Sequence, residues 1–238
     1  MNPVVAPLAI VAGTALSYAV ALPLGVPALV PILNTLPAFP FMIGSLRRGR
    51  VAEAIVRMLI WAAALAICAT TIGYWRTADG GRLFVNGEAY RQEMFTYILT
   101  GVGAEGDIRR FLPQHVLHTS VFSVLALATG SVVAMPMGAV LMNYMGYYVG
   151  ALAAAGAHPF RVVALAWVPW SIVRVASFVV LGVVLAGPGL SRAFGFPYRL
   201  RDERGWVWLA GGGLALDVLM KWALAHPWRD MIRSAAGW

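Results

Sequence analysis

RRGRVAEAIVRMLIWAAALAICATTIGYW, residues 47–75, decides the fold class. Three arginines within four residues lead into a continuous apolar run. A helix needs roughly 20 such residues to cross a hydrocarbon core of about 30 Å, and Val51 to Trp75 supplies them. The pattern then repeats along the chain. Val4 to Leu22, His115 to Ala134, Ala139 to Ala155, Arg161 to Ala186 and Trp206 to Ala225 are further runs of this kind. The segment 23–44 is apolar too, but Pro23, Pro27, Pro31, Pro37 and Pro40 interrupt it. Interior prolines remove backbone donors and bend helices, so this segment reads as a kinked span or as a re-entrant pair of short helices. The expectation is a single all-α polytopic transmembrane bundle over 1–238, of about seven spans, or six if 23–44 re-enters. It divides into N-terminal spans (1–50), a span (51–75), an extracytoplasmic segment (76–114) and a four-span C-terminal part (115–238).

Composition supports that reading. The 238 residues are 60% apolar and only 12% charged, against about 25% charged in soluble domains. Fourteen of the 18 Lys and Arg lie outside the long apolar runs, notably Arg47, Arg48 and Arg50, and Arg192, Arg199, Arg201 and Arg204. The polar segment 76–114 differs, because Asp79, Glu88, Glu93, Glu105 and Asp107 offset its arginines. Such asymmetry fixes orientation in a membrane. It puts both basic clusters in the cytoplasm of a bacterial inner membrane, with an even number of spans between them, the N-terminus inside and 76–114 outside. The net charge of +8 is therefore attributed to lipid headgroups and topology, not to nucleic acid. The first run lacks a basic lead-in and a small-residue cleavage site, which reads as a retained helix.

Within 76–114, EAYRQEMFTYILTG (88–101) sets Tyr90, Met94, Tyr97 and Ile98 at helical spacing, the pattern of an amphipathic helix on the membrane surface. Gly80-Gly81 and Gly101 to Gly106 read as turns on either side, and Met135-Pro136-Met137-Gly138 as a tight turn between spans. Trp206, Trp208, Trp222 and Trp228 sit where interfacial aromatic belts would.

Three charges sit deep in the apolar runs near the C-terminus: Arg174, Asp217 and Lys221. Arg174 is about 12 residues into its run and Asp217 about 11 into the next, which at 1.5 Å per residue puts both roughly 17 Å deep. Unpaired charge there costs several kcal/mol, so the two are expected to pair near the midplane, with Lys221 a second contact for Asp217 at i,i+4. The cluster is either a register-fixing ion pair or part of an ion, proton or substrate-anion pathway. His115 and His118 share a helix face and are the only candidates for a metal site, with Glu93, Glu105 or Asp107 as partners. No organic cofactor is expected. Cys68, the sole cysteine, excludes an intrachain disulfide, and no histidine shares its run to act as a base. Cys68 with Arg174 and His115 is a further enzymatic set to weigh beside the histidine pair. In NYMGYYVG (143–150), Asn143, Gly146 and Gly150 form a helix-packing face or groove, and Gly211-Gly212-Gly213 offers a similar one.

The outside segment from Arg91, the hairpin from His118 through Pro136 and Gly138 to Asn143, Gly146 and Gly150, and the last span with Asp217 ahead of Pro227 together resemble the stage II sporulation protein M-like family. The chain departs from that pattern with Asp217 in place of Glu and two extra N-terminal spans. The resemblance implies a non-catalytic subunit of a membrane complex or transport and assembly system, partnered by the bilayer and by other subunits or a second copy. The alternatives from the residues themselves are an ion- or proton-coupled carrier or channel at Arg174, Asp217 and Lys221, and a metal-dependent enzyme at His115 and His118.

Overall fold

The computed structural model describes residues 5–238; Val4, the first residue of the first run, lies outside them. Among the described residues the regular structure is entirely helical. The helices are α1 (Val5–Leu24), α2 (Leu29–Thr35), α3 (Phe39–Arg47), α4 (Val51–Trp75), α5 (Thr77–Leu83), α6 (Gly87–Thr100), α7 (Ile108–Thr129), α8 (Ala134–Ala155), α9 (Pro159–Ala166), α10 (Pro169–Phe194) and α11 (Arg204–Ala236). Among the described residues six stretches are long and apolar enough to cross a membrane: α1, α2 with α3, α4, α7, α10 and α11 with the turn before it. Large apolar side chains such as Leu8, Leu16, Ile67, Val124, Leu209 and Leu219 face outward on these helices. So much exposed apolar surface suits lipid, not water. This is a helical membrane protein.

The helix α8 stands apart from those six. It has 22 residues, and 14 of them are buried. It needs little lipid-facing hydropathy because protein surrounds it, and this leaves room for Asn143 and its tyrosines. Gly146 lies under Ala69, Gly150 under the backbone of Thr70 and Tyr74, and Gly73 under Tyr147, so α4 and α8 run in the same direction in close contact. The Asn143, Gly146 and Gly150 face is thus occupied within the chain.

The proline-rich segment is a broken helix running one way. At the break, Leu36 (φ −54°, ψ −42°) and Ala38 (φ −96°, ψ −36°) stay in the right-handed region, so the chain kinks without reversing. Ala38 N–H bonds to the Thr35 carbonyl, which frees the Asn34 carbonyl; Trp61 Nε1 donates to it at 2.8 Å. The Asn34 side chain joins Ser17 (2.8 Å) and Asn143 (2.9 Å), and Tyr18 donates to Asn143 as well. This buried network ties α1, α2, α4 and α8 together where the prolines took donors away.

Several features differ from the sequence reading: α7 begins at Ile108 and α11 runs on to Ala236, and four further differences bear on the site. The α7–α8 turn falls at Gly130 to Val133, ahead of Met135 to Gly138, because Pro136 fits the first turn of a helix, where its missing N–H costs nothing. Ser131 takes a positive φ of 65° there, and its hydroxyl donates to the Gly182 carbonyl at 2.6 Å. The run 161–186 is two helices, α9 and α10. Val168, before Pro169, is extended (φ −60°, ψ 143°), as residues preceding proline prefer. Gly80 and Gly81 lie within α5, where a Cβ on Gly80 would sit 2.5 Å from the Tyr147 ring.

The fourth difference concerns α6. Its Met94, Tyr97 and Ile98 turn into the protein, in one buried cluster with Tyr148, Leu152 and Ile232, instead of lying on a membrane surface. Arg229 of α11 donates to the carbonyls of Tyr97, Ile98 and Leu99, capping the end of α6 with a cation, as helix C-termini favour. Trp228 is likewise used inside, donating to the Leu165 carbonyl at 2.8 Å. At the other end of α6, hydrogen bonds from Arg91, with help from Gln92 and Tyr147, bring the Glu88 carboxyl down to about 2. A depressed carboxylate stabilises the folded state above its unfolded pKa, so this anchor is lost only as pH falls toward that value.

Helix directions place α5, α6 and α9 at one end of the bundle, the cap end. At the opposite end Gly189 of α10 packs on Gly130 of the α7–α8 turn. Because α4 and α8 are parallel, the start of α4 lies at that end too. Residues 47–50 and 192–204 therefore share it, the basic end. Arg57 is buried near it, pairing with Glu53 and donating to Ser45 Oγ at 2.8 Å.

Candidate functional site: a charged cluster beside a cavity

Because α10 begins only at Pro169, Arg174 sits five residues into it, roughly 8 Å from its start at 1.5 Å per residue. Arg174 thus lies in the first turns of α10, near the cap end, while Asp217 and Lys221 lie near the middle of the longer α11. Asp217 faces Arg174 from the antiparallel α11, held in register where Gly213 meets Ser177. Gly211 and Gly212 have open space around them. Arg174 Nε and Nη2 each donate to the Asp217 carboxylate at 2.9 Å, a bidentate pair whose acid is fully buried. His115 Nδ1 lies 3.6 Å from the same carboxylate.

Lys221 does not turn back to Asp217. Its Nζ donates to Glu105 at 2.7 Å, and Trp170 Nε1 donates to the other Glu105 oxygen at 2.8 Å. The reason is a matter of valence: Asp217 is already taken by Arg174, and the cap-end loop 101–107 delivers a second carboxylate within reach. Burial alone would raise the Glu105 pKa, but Lys221 and Arg174 prevail and lower it, so it is ionised at neutral pH. Phe111 forms a floor under both cations, its ring centre 3.4 Å from Lys221 Nζ and 4.9 Å from the Arg174 guanidinium, with the His115 ring beside it. Two cations and two acids thus make a neutral cluster, and each buried charge has a partner, as the desolvation cost demands.

This cluster forms part of the wall of a cavity of about 460 Å³ between α4, α7, α8 and α10. Glu105, Arg174, Lys221 and His115 line one region of it. Asn86, Glu93, Gln114 and His118 line it while remaining exposed, and so mark its mouth. The deeper wall is apolar, with Phe122, Val179 and Val183 among buried methionines. Six of the ten methionines line it (Met42, Met58, Met94, Met135, Met142 and Met145), and their unbranched side chains suit a wall that adapts to its contents.

His115 and His118 both reach this cavity but differ in setting, one buried against Asp217 and the other at the mouth. Asp107 is spent capping α7 through the Arg109 N–H at 2.9 Å. Among the described residues no group of three or more His, Cys, Asp or Glu side chains is arranged to hold a metal ion. Cys68 is not among the lining residues, so it does not join Arg174 and His115 there. Sequence reasoning gave no such role to Phe111 or Trp170, and weighed Glu105 only as a metal ligand. The signal that could have found Glu105 is the unmet need of Lys221 for a counter-charge.

Comparison with protein-family models, curated proteins and solved structures finds no match for this chain.

Proposed function

We propose that this protein is a carrier-type membrane protein that takes a small amphipathic molecule into the cavity between α4, α7, α8 and α10. One observation carries the reading: a single internal space joins a polar mouth, a buried charge cluster and an apolar, methionine-rich depth. Ligand sites are concave, mostly apolar and furnished with a few polar groups, which describes this space. The subunit role implied by the resemblance to the stage II sporulation protein M-like family has less support from the geometry. Its small-residue face, Gly146 and Gly150, is already filled by α4.

Purified protein in neutral detergent tests the proposal by thermal unfolding against a panel of amphiphiles. A ligand at about 100 times its Kd adds roughly 2.7 kcal/mol, a rise of a few degrees. Val179→Trp, which fills the cavity, should unfold at a similar temperature and show no rise. If no amphiphile raises the transition, or the filled variant responds equally, the reading fails.

We further propose that the basic end faces the cytoplasm of a bacterial inner membrane, on the strength of its two arginine clusters. With Cys68 replaced by Ala, a cysteine placed at Asp202 should react with an impermeant maleimide only after intact cells are permeabilised. Labelling without permeabilisation would reverse the orientation.

A further inference from the structure

Glu105 differs from its three charged neighbours in one respect. Arg174 and Asp217 are fixed on α10 and α11, and Lys221 on α11, whereas Glu105 stands on the loop 101–107 between α6 and α7. That loop contains Gly101, with φ of +80°, Gly103 and Gly106. Loops open at lower cost than the elements they join. Glu105 can therefore leave the cluster by a movement of its loop, without moving a helix.

Its departure has a charge consequence. With Glu105 in place the cluster is neutral. Without it, Lys221, whose side chain is only 4% exposed, remains as an uncompensated buried cation at the cavity wall. A neutral molecule in place of Glu105 leaves that charge unpaired, and a cation adds to it. An anion restores the balance, and it would inherit Lys221 Nζ and the Trp170 indole N–H as donors. Arg174 also lines the cavity, and its Nη1 takes no part in the pair with Asp217.

We propose that Glu105 is a tethered stand-in for the ligand's head group, and that the cavity selects an anionic amphiphile whose acid displaces Glu105 from Lys221 while its apolar part enters the methionine-lined depth. This rests on the cavity reading above and adds the chemical class of the occupant. The exchange is carboxylate for acid and makes or breaks no covalent bond. Glu105 moves to the mouth, where Gln114 and His118 are exposed.

The test uses the full chain in neutral detergent with three probes of equal tail: decanoate, decanol and decyltrimethylammonium. Decanoate should bind at least about tenfold more tightly than either other probe, since only it keeps the buried charges balanced. It should also move the Trp170 indole N–H resonance, assigned from its loss in Trp170→Phe, because Glu105 must release that donor; decanol should leave it in place. Glu105→Gln removes the competitor and should tighten decanoate about tenfold with decanol unchanged, whereas Lys221→Met should erase the preference. Should Glu105→Gln fail to fold, the wild-type Trp170 signal decides alone. Decanoate that binds no better than decanol, that leaves the Trp170 resonance unmoved, or that weakens in Glu105→Gln overturns the proposal while leaving the cavity reading intact. Failure of all three probes to bind overturns both.

Discussion

Asp217→Asn should destabilise the protein by about 3–5 kcal/mol, the usual cost of stranding one member of a buried ion pair. The carboxylate is fully buried and takes two charge-assisted bonds from Arg174. An asparagine of the same shape can accept one of them, but it presents an NH₂ to the guanidinium at the other. It also leaves the cluster with two cations against Glu105 alone. The double variant Arg174→Met/Asp217→Leu removes both charges and should recover most of the loss, because well-packed apolar residues often replace buried ion pairs at little cost. Reversible unfolding in mixed micelles, followed by tryptophan fluorescence, gives both numbers. An Asp217→Asn variant within about 1 kcal/mol of wild type would mean that Glu105 or solvent already compensates Arg174. The double variant also separates stability from function. If it folds and still binds ligand, the pair only fixes the register of α10 on α11; if it folds and does not bind, the pair belongs to the site.

The pairing of Arg174 with Asp217 was legible in the sequence although the position of Arg174 within its helix was not. Two charges at matching positions on consecutive antiparallel helices meet wherever the helices begin, so the pair survives the error introduced at Val168-Pro169. That position is fragile because it depends on one end, and that end is set by a dipeptide whose apolar character hides a break. The same holds for Pro136, which reads as a turn until the first turn of a helix is recognised as its natural place. The basic ends were legible for a sturdier reason, since charge asymmetry is summed over many residues. Lys221 was misassigned because i,i+4 spacing counts neighbours on one helix and knows nothing of a loop folded over from 116 residues earlier. The apolar face of α6 looked like a membrane-surface helix because periodicity reports that a face is covered, not by what.

The buried Asn34–Asn143 network and the cavity share a support in α8. Its polar residues disqualify it as a lipid-facing span, yet it crosses the bundle inside a sheath of other helices and supplies one wall of the cavity. Tyr144 and Met145 face that space, while Asn143 and Gly146 on adjacent turns face α1, α2 and α4. A helix with a polar network on one side and a cavity on the other positions both only if its distance from α4 is fixed.

That distance is what Gly150→Ala should disturb. A Cβ at Gly150 would lie 2.1 Å from the Thr70 carbonyl oxygen and 2.6 Å from the Tyr74 nitrogen, and backbone atoms cannot rotate aside. The interface offers no slack nearby, with Gly146 opposed to Ala69 at 2.6 Å and Gly73 to the Tyr147 carbonyl at 2.4 Å. The helices must separate along several turns, so the cost should reach the upper part of the 1–3 kcal/mol range for overpacking or exceed it. This is a net figure, because alanine gains about 1 kcal/mol over glycine in a helix interior. Gly212→Ala in α11 isolates that gain, since nothing lies within 4 Å of its Cβ. It should be neutral or stabilising by up to about 1 kcal/mol. Separation of α4 from α8 should also strain the chain of bonds from Trp61 through Asn34 to Asn143 and shift the cavity wall, so Gly150→Ala should weaken ligand binding although no ligand touches residue 150. Equal unfolding free energies for Gly150→Ala and Gly212→Ala would show that α4 and α8 have room between them, and that the wall is held by something other than their contact.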